Sequence, residues 1–201
     1  MSTLSKIKFC GIQPTSDLNF INQLAPDYIG LVFAQNSQRV VNFEAAQRIS
    51  QQLHRKILKV GVFVDAPKNL IASLVEEKVI DLIQLHGHEN EAVINDYKQS
   101  FKLPIIKAFG IQNQTDVLKA LHSPADYLLF DYKQAGSGQC FDWRYIQNVN
   151  RKYFLAGGIN RNNLKQALAL KPYAIDLSSA IETNGIKDNQ KMQTIINQLR
   201  G

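Results

Sequence analysis

Short runs of apolar, β-branched and aromatic residues alternate along the whole chain with segments in which apolar residues recur every three or four positions. Such short runs, bounded by turn-forming residues, are typical of buried β-strands. The pattern predicts eight strands, at residues 6–10, 28–33, 58–64, 81–85, 104–108, 127–131, 153–155 and 174–177.

The intervening segments have the spacing of amphipathic helices. In the segment 42–53, apolar residues recur at intervals of three and four, and Asn42 is placed to cap the first turn. Pro67 stands where the first turn of a helix tolerates proline. The same reasoning predicts further helices at 16–24, 89–97, 115–121, 162–170 and 189–199, and a less regular one at 141–149.

Eight strand–helix units favour parallel strands joined by helical crossovers. We therefore predict a single-domain α/β fold, a (β/α)8 TIM barrel over residues 1–201. The alternative is an open, doubly wound sheet, in which functional residues would collect at one switch point. The barrel is favoured because polar residues and glycines follow many strands, as in barrel active sites; these are Cys10, Gln84, His86, Asp131, Gly157, Gly158, Ser178 and Ser179.

Composition narrows the class of protein. The chain has 201 residues, of which 45% are hydrophobic and 20% charged, which suits one globular domain with a sizeable core. It contains no apolar run of about 18 residues and no apolar signal region at its start, so we expect no membrane association. Cys10 and Cys140 form neither a metal-ligand spacing nor a disulfide framework, which indicates a metal-free protein in the cytoplasm.

The charge balance is basic. There are 23 Lys and Arg residues against 17 Asp and Glu, a net charge of +6. Basic charge can indicate nucleic-acid binding, but here the basic residues are scattered along the chain. We therefore expect no nucleic-acid partner, and instead a mild preference for small anionic molecules.

Two loops near the C-terminus are suited to phosphate. Gly157 and Gly158 follow the seventh strand, where paired glycines let the backbone approach an anion. Ser178, Ser179 and Ala180 follow the eighth strand and offer hydroxyl and amide groups. Barrels often bind phosphate after strands 7 and 8. Since the corresponding loops of the first half carry no paired glycines, we predict a substrate with one phosphate.

Cys10 and Asp131 are candidates for proton transfer. Cys10 ends the first strand and is followed by Gly11, which allows a sharp turn and could let the thiol face a ligand site. Asp131 ends a strongly apolar strand, and partial burial would raise its pKa toward that of a general acid. The simpler interpretations are a buried apolar cysteine and a loop carboxylate in a cap or ion pair.

Three further polar residues are candidates for ligand contacts. Arg39, after the second strand, could pair a carboxylate in bidentate fashion, or be an ordinary surface arginine. Gln84 and His86 alternate along the fourth strand and should face the same side. His86 could be a general base or a hydrogen-bonding wall of the pocket.

Two strand lysines require an explanation. Lys107 could form a Schiff base in an aldolase-like reaction. Lys8 shares the parity of Cys10, and Asp176 shares that of Ser178, on strands that adjoin in a closed barrel. We predict a Lys8–Asp176 ion pair, because each would otherwise be a lone charge in the barrel interior.

Taken in order, these and neighbouring motifs resemble the phosphoribosylanthranilate isomerase family of tryptophan biosynthesis, and the resemblance covers nearly the whole chain. The motifs are Lys8-Phe9-Cys10-Gly11-Ile12, Gly61-Val62-Phe63-Val64, Gln84-Leu85-His86-Gly87, Asp131, Gly136-Ser137-Gly138-Gln139-Cys140-Phe141-Asp142-Trp143, Ala156-Gly157-Gly158-Ile159-Asn160, Asp176-Leu177-Ser178-Ser179 and Gly185-Ile186-Lys187-Asp188.

The resemblance implies a (β/α)8 barrel that converts N-(5-phosphoribosyl)anthranilate to its ribulose-type product by an Amadori rearrangement, without cofactor or metal. It matches Asp131 to the general acid, Cys10 to the general base and Arg39 to the residue that recognises the carboxylate. It matches the phosphate-binding loops to Gly157-Gly158 and Ser178-Ser179-Ala180. We expect a small phosphorylated substrate and a monomer or homodimer.

Two other functions stay open at this point. One is a related sugar-phosphate isomerase of the histidine pathway, which is disfavoured because the first strand ends in Cys10 rather than a carboxylate and only one phosphate cradle is visible. The other is a barrel that binds a phosphorylated metabolite without converting it, and the presence of both Cys10 and Asp131 argues against it.

Overall fold

The computed structural model describes residues 5–133 and 139–200. Eight parallel strands pair in sequence order, and β1 also pairs with β8, so the sheet closes into a barrel. The strands are β1 (Lys6–Cys10), β2 (Tyr28–Val32), β3 (Leu58–Phe63), β4 (Leu82–Leu85), β5 (Ile105–Ile111), β6 (Tyr127–Tyr132), β7 (Tyr153–Leu155) and β8 (Ala174–Leu177). The predicted (β/α)8 barrel is confirmed, and the open sheet is excluded.

Seven α-helices surround the strands in the part of the chain that the structure describes. They are α1 (Leu18–Leu24), α2 (Phe43–Gln52), α3 (Lys68–Glu76), α4 (Glu91–Phe101), α5 (Gln114–Leu121), α6 (Leu164–Ala169) and α7 (Asn189–Arg200). A side-chain cap fixes the start of α2, where Asn42 accepts a hydrogen bond from the Ala45 N–H, as predicted. Pro67 lies directly before the first residue of α3 and makes no such hydrogen bond. None of the described helices is long and apolar enough to cross a lipid bilayer.

The helix predicted at 141–149 is wrong. The chain there forms only a short 3₁₀ helix, Trp143–Ile146, closed by hydrogen bonds to carbonyls three residues back. The segment is rich in aromatic, β-branched and Asn residues, which are weak helix formers. After β8, a second 3₁₀ helix (Ser179–Ile181) leads into a small antiparallel hairpin of β9 (Glu182–Thr183) and β10 (Ile186–Lys187).

Two apolar layers hold the barrel together. The larger fills the space between strands and helices, and the smaller fills the barrel interior, where Val60, Leu129 and Phe154 are fully buried. Alternate side chains of a strand point to opposite faces, so each strand serves both layers. This packing holds the carboxyl ends of the strands, and the side chains on them, in fixed positions.

The interior also contains the predicted ion pair. Lys8 lies opposite Asp176 in the β1–β8 register, and its Nζ donates to Asp176 Oδ2 at 2.8 Å. The Lys8 side chain is 0% exposed and that of Asp176 is 7% exposed. Burial lowers the pKa of Lys8, but Asp176 and Cys10 outweigh it, and the net pKa is raised. Lys8 is therefore a cation inside the barrel.

Candidate active site

A cavity of about 290 Å³ opens at the carboxyl ends of the strands. All ten residues proposed from the sequence for catalysis or binding line it: Cys10, Arg39, Gln84, His86, Asp131, Gly157, Gly158, Ser178, Ser179 and Ala180. They come from six loops or strand ends that are distant in sequence. This is the position in which (β/α)8 barrels build their active sites.

Cys10 is held at the mouth by two glycines. Gly11 has φ +81°, a conformation that favours glycine, and it turns the chain directly after the thiol. Gly30 lies beside Cys10 in the β1–β2 register, and a Cβ there would come within 2.7 Å of Cys10 Sγ. The thiol therefore occupies space that only a glycine neighbour leaves open.

The Cys10 thiol is mostly protonated at neutral pH. Burial raises its pKa, and the nearby Lys8 cation lowers it without fully offsetting the burial. The site thus contains a thiol next to a buried positive charge, in which the thiolate is a minor form.

Asp131 has the properties of a proton donor. Burial raises the pKa of its carboxyl to about 6, although a hydrogen bond from the Tyr132 N–H to Oδ1, 2.7 Å long, acts in the opposite direction. A fraction of the carboxyl is therefore protonated near neutral pH, which suits general acid catalysis.

His86 stands between Gln84 and Asp131. Its Nδ1 lies 3.0 Å from Gln84 Nε2, and its Nε2 lies 3.7 Å from Asp131 Oδ2. Burial lowers the pKa of His86 to about 4, and Lys8 adds to the effect. His86 is thus neutral at pH 7 and forms no ion pair with Asp131. It is a hydrogen-bonding wall of the pocket rather than a strong base.

Two buried acceptor atoms in the cavity wall have no hydrogen-bond partner among the described residues. They are Gln84 Oε1 and Asp176 Oδ1. A buried acceptor without a partner is unfavourable, so these two atoms are a local cost to the fold at the wall of the cavity.

The paired glycines bring the backbone close to the acid. Gly157 and Gly158 have φ values of +79° and +64°. A Cβ on Gly157 would lie 2.7 Å from Asp131 Oδ1, and one on Gly158 would lie 2.6 Å from the carbonyl carbon of Gln139. Side chains at these two positions would displace the carboxylate or the neighbouring backbone.

Lys107 does not belong to the site. Its Nζ donates to the Gly87 carbonyl at 2.6 Å and to Glu89 Oε2 at 2.8 Å, and both charged side chains are buried. It does not line the cavity. The Schiff-base interpretation is wrong, because the amine is held in an ion pair that ties β5 to the loop after β4.

Two charged residues near the site were not predicted from the sequence. Glu182 and Lys187, in the hairpin after β8, form a buried pair that contacts Arg39. The Asn184-Gly185 dipeptide between them is a strong hairpin signal and would have placed the two side chains opposite each other. Among the described residues, no group of three or more His, Cys, Asp or Glu side chains is placed to hold a metal ion.

Comparison with known families gives a consistent result. The profile of a family described as N-(5'phosphoribosyl)anthranilate (PRA) isomerase matches residues 7–198. The chain belongs to this family. An N-(5'-phosphoribosyl)anthranilate isomerase of Endomicrobium trichonymphae is 41% identical over 202 residues, which cover 98% of this chain and 99% of the relative.

Solved structures of phosphoribosylanthranilate isomerases have the same fold. One from Thermus thermophilus has a TM-score of 0.87 and 34% identity, covering 96% of this chain and 98% of its own. Another, in complex with reduced 1-(o-carboxyphenylamino)-1-deoxyribulose 5-phosphate, has a TM-score of 0.86 and 30% identity, covering 98% and 100%. The resemblance seen in the motifs is confirmed, although Gly136, Ser137 and Gly138 lie outside the described residues.

Proposed function

We propose that this protein is an isomerase of tryptophan biosynthesis. It converts N-(5-phosphoribosyl)anthranilate to 1-(2-carboxyphenylamino)-1-deoxyribulose 5-phosphate. The observation that carries the mechanism is a thiol and a carboxyl of raised pKa lining one cavity at the barrel mouth. Proton donation and proton removal are the two operations that an Amadori rearrangement needs.

Asp131 acts first, as general acid. Its carboxyl gives a proton to the ring oxygen of the ribose, and the bond between this oxygen and C1′ breaks. The lone pair of the anthranilate nitrogen forms a double bond to C1′, which gives a protonated imine. A pKa of about 6 keeps part of the Asp131 carboxyl protonated near neutral pH, so that a proton is available for the ring oxygen.

Cys10 acts second, as general base. The thiolate removes the proton on C2′, and the electrons of that bond form the C1′–C2′ double bond of an enolamine while the imine nitrogen becomes neutral. The enolamine tautomerises to the ketone. Because burial raises the pKa of Cys10 above its ordinary value while that of Asp131 is about 6, only a small fraction of molecules holds the thiolate and the protonated carboxyl at the same time.

Substrate binding uses the remaining residues of the cavity. We assign the phosphate to Gly157-Gly158 and to the loop Ser178-Ser179-Ala180, and the anthranilate carboxylate to Arg39. Remote binding energy from the phosphate fixes the sugar between acid and base.

We expect the reaction to need no cofactor or metal, since acid and base suffice for each step. A monomer or homodimer in the cytoplasm stays our expectation for the state and place of the protein.

The test is the loss of anthranilate-type fluorescence when freshly made phosphoribosylanthranilate is isomerised. We expect fast turnover by the wild type and a loss of at least about two decades in kcat for Cys10→Ser and for Asp131→Asn, the scale of general acid–base catalysis. Cys140→Ser is the matched control, because Cys140 is the other free cysteine and is exposed. It should keep full activity.

Each other outcome has a distinct meaning. A folded but inactive wild type that still binds the phosphorylated substrate would favour the barrel that binds without converting. Turnover of a histidine-pathway aminoaldose instead would favour the related isomerase. Active Cys10→Ser and Asp131→Asn variants would leave the reaction in place and refute the assigned acid and base.

A further inference from the structure

A buried ion pair lies directly outside the active-site cavity and takes no part in the mechanism above. Glu182 on β9 and Lys187 on β10 face each other across the hairpin, and each residue is only 8% exposed. Lys187 Nζ donates to Glu182 Oε1 at 2.5 Å. Asn184 and Gly185 form the turn with φ values of +53° and +78°, as a tight hairpin of this type requires.

The Glu182 carboxylate also accepts two hydrogen bonds from the guanidinium of Arg39. Arg39 Nε donates to Oε1 and Nη2 donates to Oε2, both at 2.7 Å. This is the bidentate geometry that orients a guanidinium most firmly. One carboxylate is thus shared by two cations, and the three groups together carry one net positive charge.

Only Arg39 of these three lines the cavity; Glu182 and Lys187 lie behind it. The bonds to Glu182 use the Nε–Nη2 edge of the guanidinium. Among the described residues, no hydrogen bond is made from Nη1, so the Nη1–Nη2 edge is available for a second bidentate partner. The Arg39 stem passes over Gly11, where a Cβ would come within 2.4 Å of Arg39 Cδ.

We propose that Glu182 is a positioning residue that holds Arg39 with its Nη1–Nη2 edge ready for the anthranilate carboxylate, and that Lys187 offsets the charge of Glu182. This rests on the proposed function, because the carboxylate belongs to that substrate. Without Glu182, binding would have to order a flexible arginine. Without Lys187, Arg39 and Glu182 would form a neutral pair with little attraction for an anion.

Selectivity of Arg39 for a carboxylate can be measured with two ligands that differ only in that group. One is reduced 1-(o-carboxyphenylamino)-1-deoxyribulose 5-phosphate, and the other is the same compound with an unsubstituted phenylamino group. Calorimetric binding of both gives a carboxylate preference for each variant. The measurement needs no turnover, so it is independent of the acid–base assignment.

Glu182→Gln/Lys187→Met, which removes the positioning carboxylate and keeps one net positive charge on Arg39, should reduce the carboxylate preference by about threefold to tenfold, the affinity equivalent of ordering one flexible side chain. Binding of the carboxyl-free ligand should stay within twofold of wild type, and in the reaction KM should rise while kcat changes little. Lys191→Met is the matched control: Lys191 Nζ donates to the Glu182 backbone carbonyl at 2.6 Å and does not touch its carboxylate. This control should keep the wild-type preference.

Two more variants separate the possible failures. Arg39→Lys removes the guanidinium group and should abolish most of the preference for the carboxylate ligand. If it does not, Arg39 does not bind the carboxylate and that part of the proposed function is wrong. If Arg39→Lys loses the preference but Glu182→Gln/Lys187→Met keeps it, the positioning role is overturned while the function stands. Lys187→Met alone tests the charge argument, since it keeps both hydrogen bonds between Arg39 and Glu182 and should still lower the preference. An unchanged preference in Lys187→Met would refute the charge argument.

Discussion

Replacing Lys8 with methionine tests the electrostatics of the barrel interior. The change would leave Asp176 as a nearly buried charge without its ion-pair partner, since the two side chains are 0% and 7% exposed and 2.8 Å apart. Breaking a buried pair from one side typically costs about 3–5 kcal/mol. That is a large part of the roughly 5–15 kcal/mol by which domains are stable. We expect the free energy of unfolding to fall by this amount at pH 7.

The double variant Lys8→Met/Asp176→Val removes both charges and should recover most of the loss, because apolar replacements of a buried pair are often neutral or better. The assay is urea unfolding followed by circular dichroism, with the slope m compared between variants. Lys59→Met is the matched control. Its ion pair with Asp81 is 3.0 Å long but more exposed, at 15% and 34%, so its loss should stay below about 1 kcal/mol.

Two results would refute this reasoning. If Lys8→Met lost no more stability than Lys59→Met, the interior pair would contribute no more than a surface one. If the losses of the two single variants simply added in the double variant, the two charges would be independent, contrary to direct contact.

Two further predictions follow from the site. In the wild type, kcat/KM should be flat between about pH 6 and the raised pKa of Cys10, because the fraction of thiolate rises there as fast as the fraction of protonated Asp131 falls. Below pH 6 it should fall because the thiolate is lost, and above the pKa of Cys10 it should fall because protonated Asp131 is lost. A sharp optimum between the two pKa values would contradict this expectation. Gly157→Ala should lower kcat, and Gly158→Ala should raise KM, each about tenfold or more in steady-state assays. Gly185→Ala, also at positive φ but with nothing within 4 Å of its Cβ, should change both constants much less. A kinetic defect in Gly185→Ala equal to theirs would mean that backbone strain alone explains them.

Much of the fold follows from local patterns. Alternating apolar runs and amphipathic segments sufficed for the eight strands, and parity along β1 and β8 sufficed for the Lys8–Asp176 contact. The same reasoning failed at 141–149, because a weak helical pattern gave no information on how short the connection between β6 and β7 would be.

The partners of site residues were harder to predict than the site residues themselves. Strand ends meet in a barrel, so the sequence placed Cys10 and Asp131 in one cavity. The contact of Arg39 with Glu182 spans 143 positions and joins two loops, and no periodicity relates them. Likewise, the pKa of Cys10 is raised because the effect of burial exceeds the opposite effect of the Lys8 cation. The relative size of these two effects cannot be predicted from the sequence.

The stability and the chemistry of the Lys8–Asp176 pair can be separated with the same double variant. If the apolar double variant is nearly as stable as the wild type, stability does not account for the presence of the two charges. Their effect on the pKa of the neighbouring Cys10 then does. Lys8 lowers the pKa of Cys10 more than Asp176 raises it, so removing both should raise that pKa further and reduce the thiolate fraction. Lys8→Met/Asp176→Val should therefore unfold at nearly the wild-type urea concentration, yet show a lower kcat/KM and an alkaline limb shifted upward. Wild-type activity in this folded variant would reduce the pair to a packing element of the barrel.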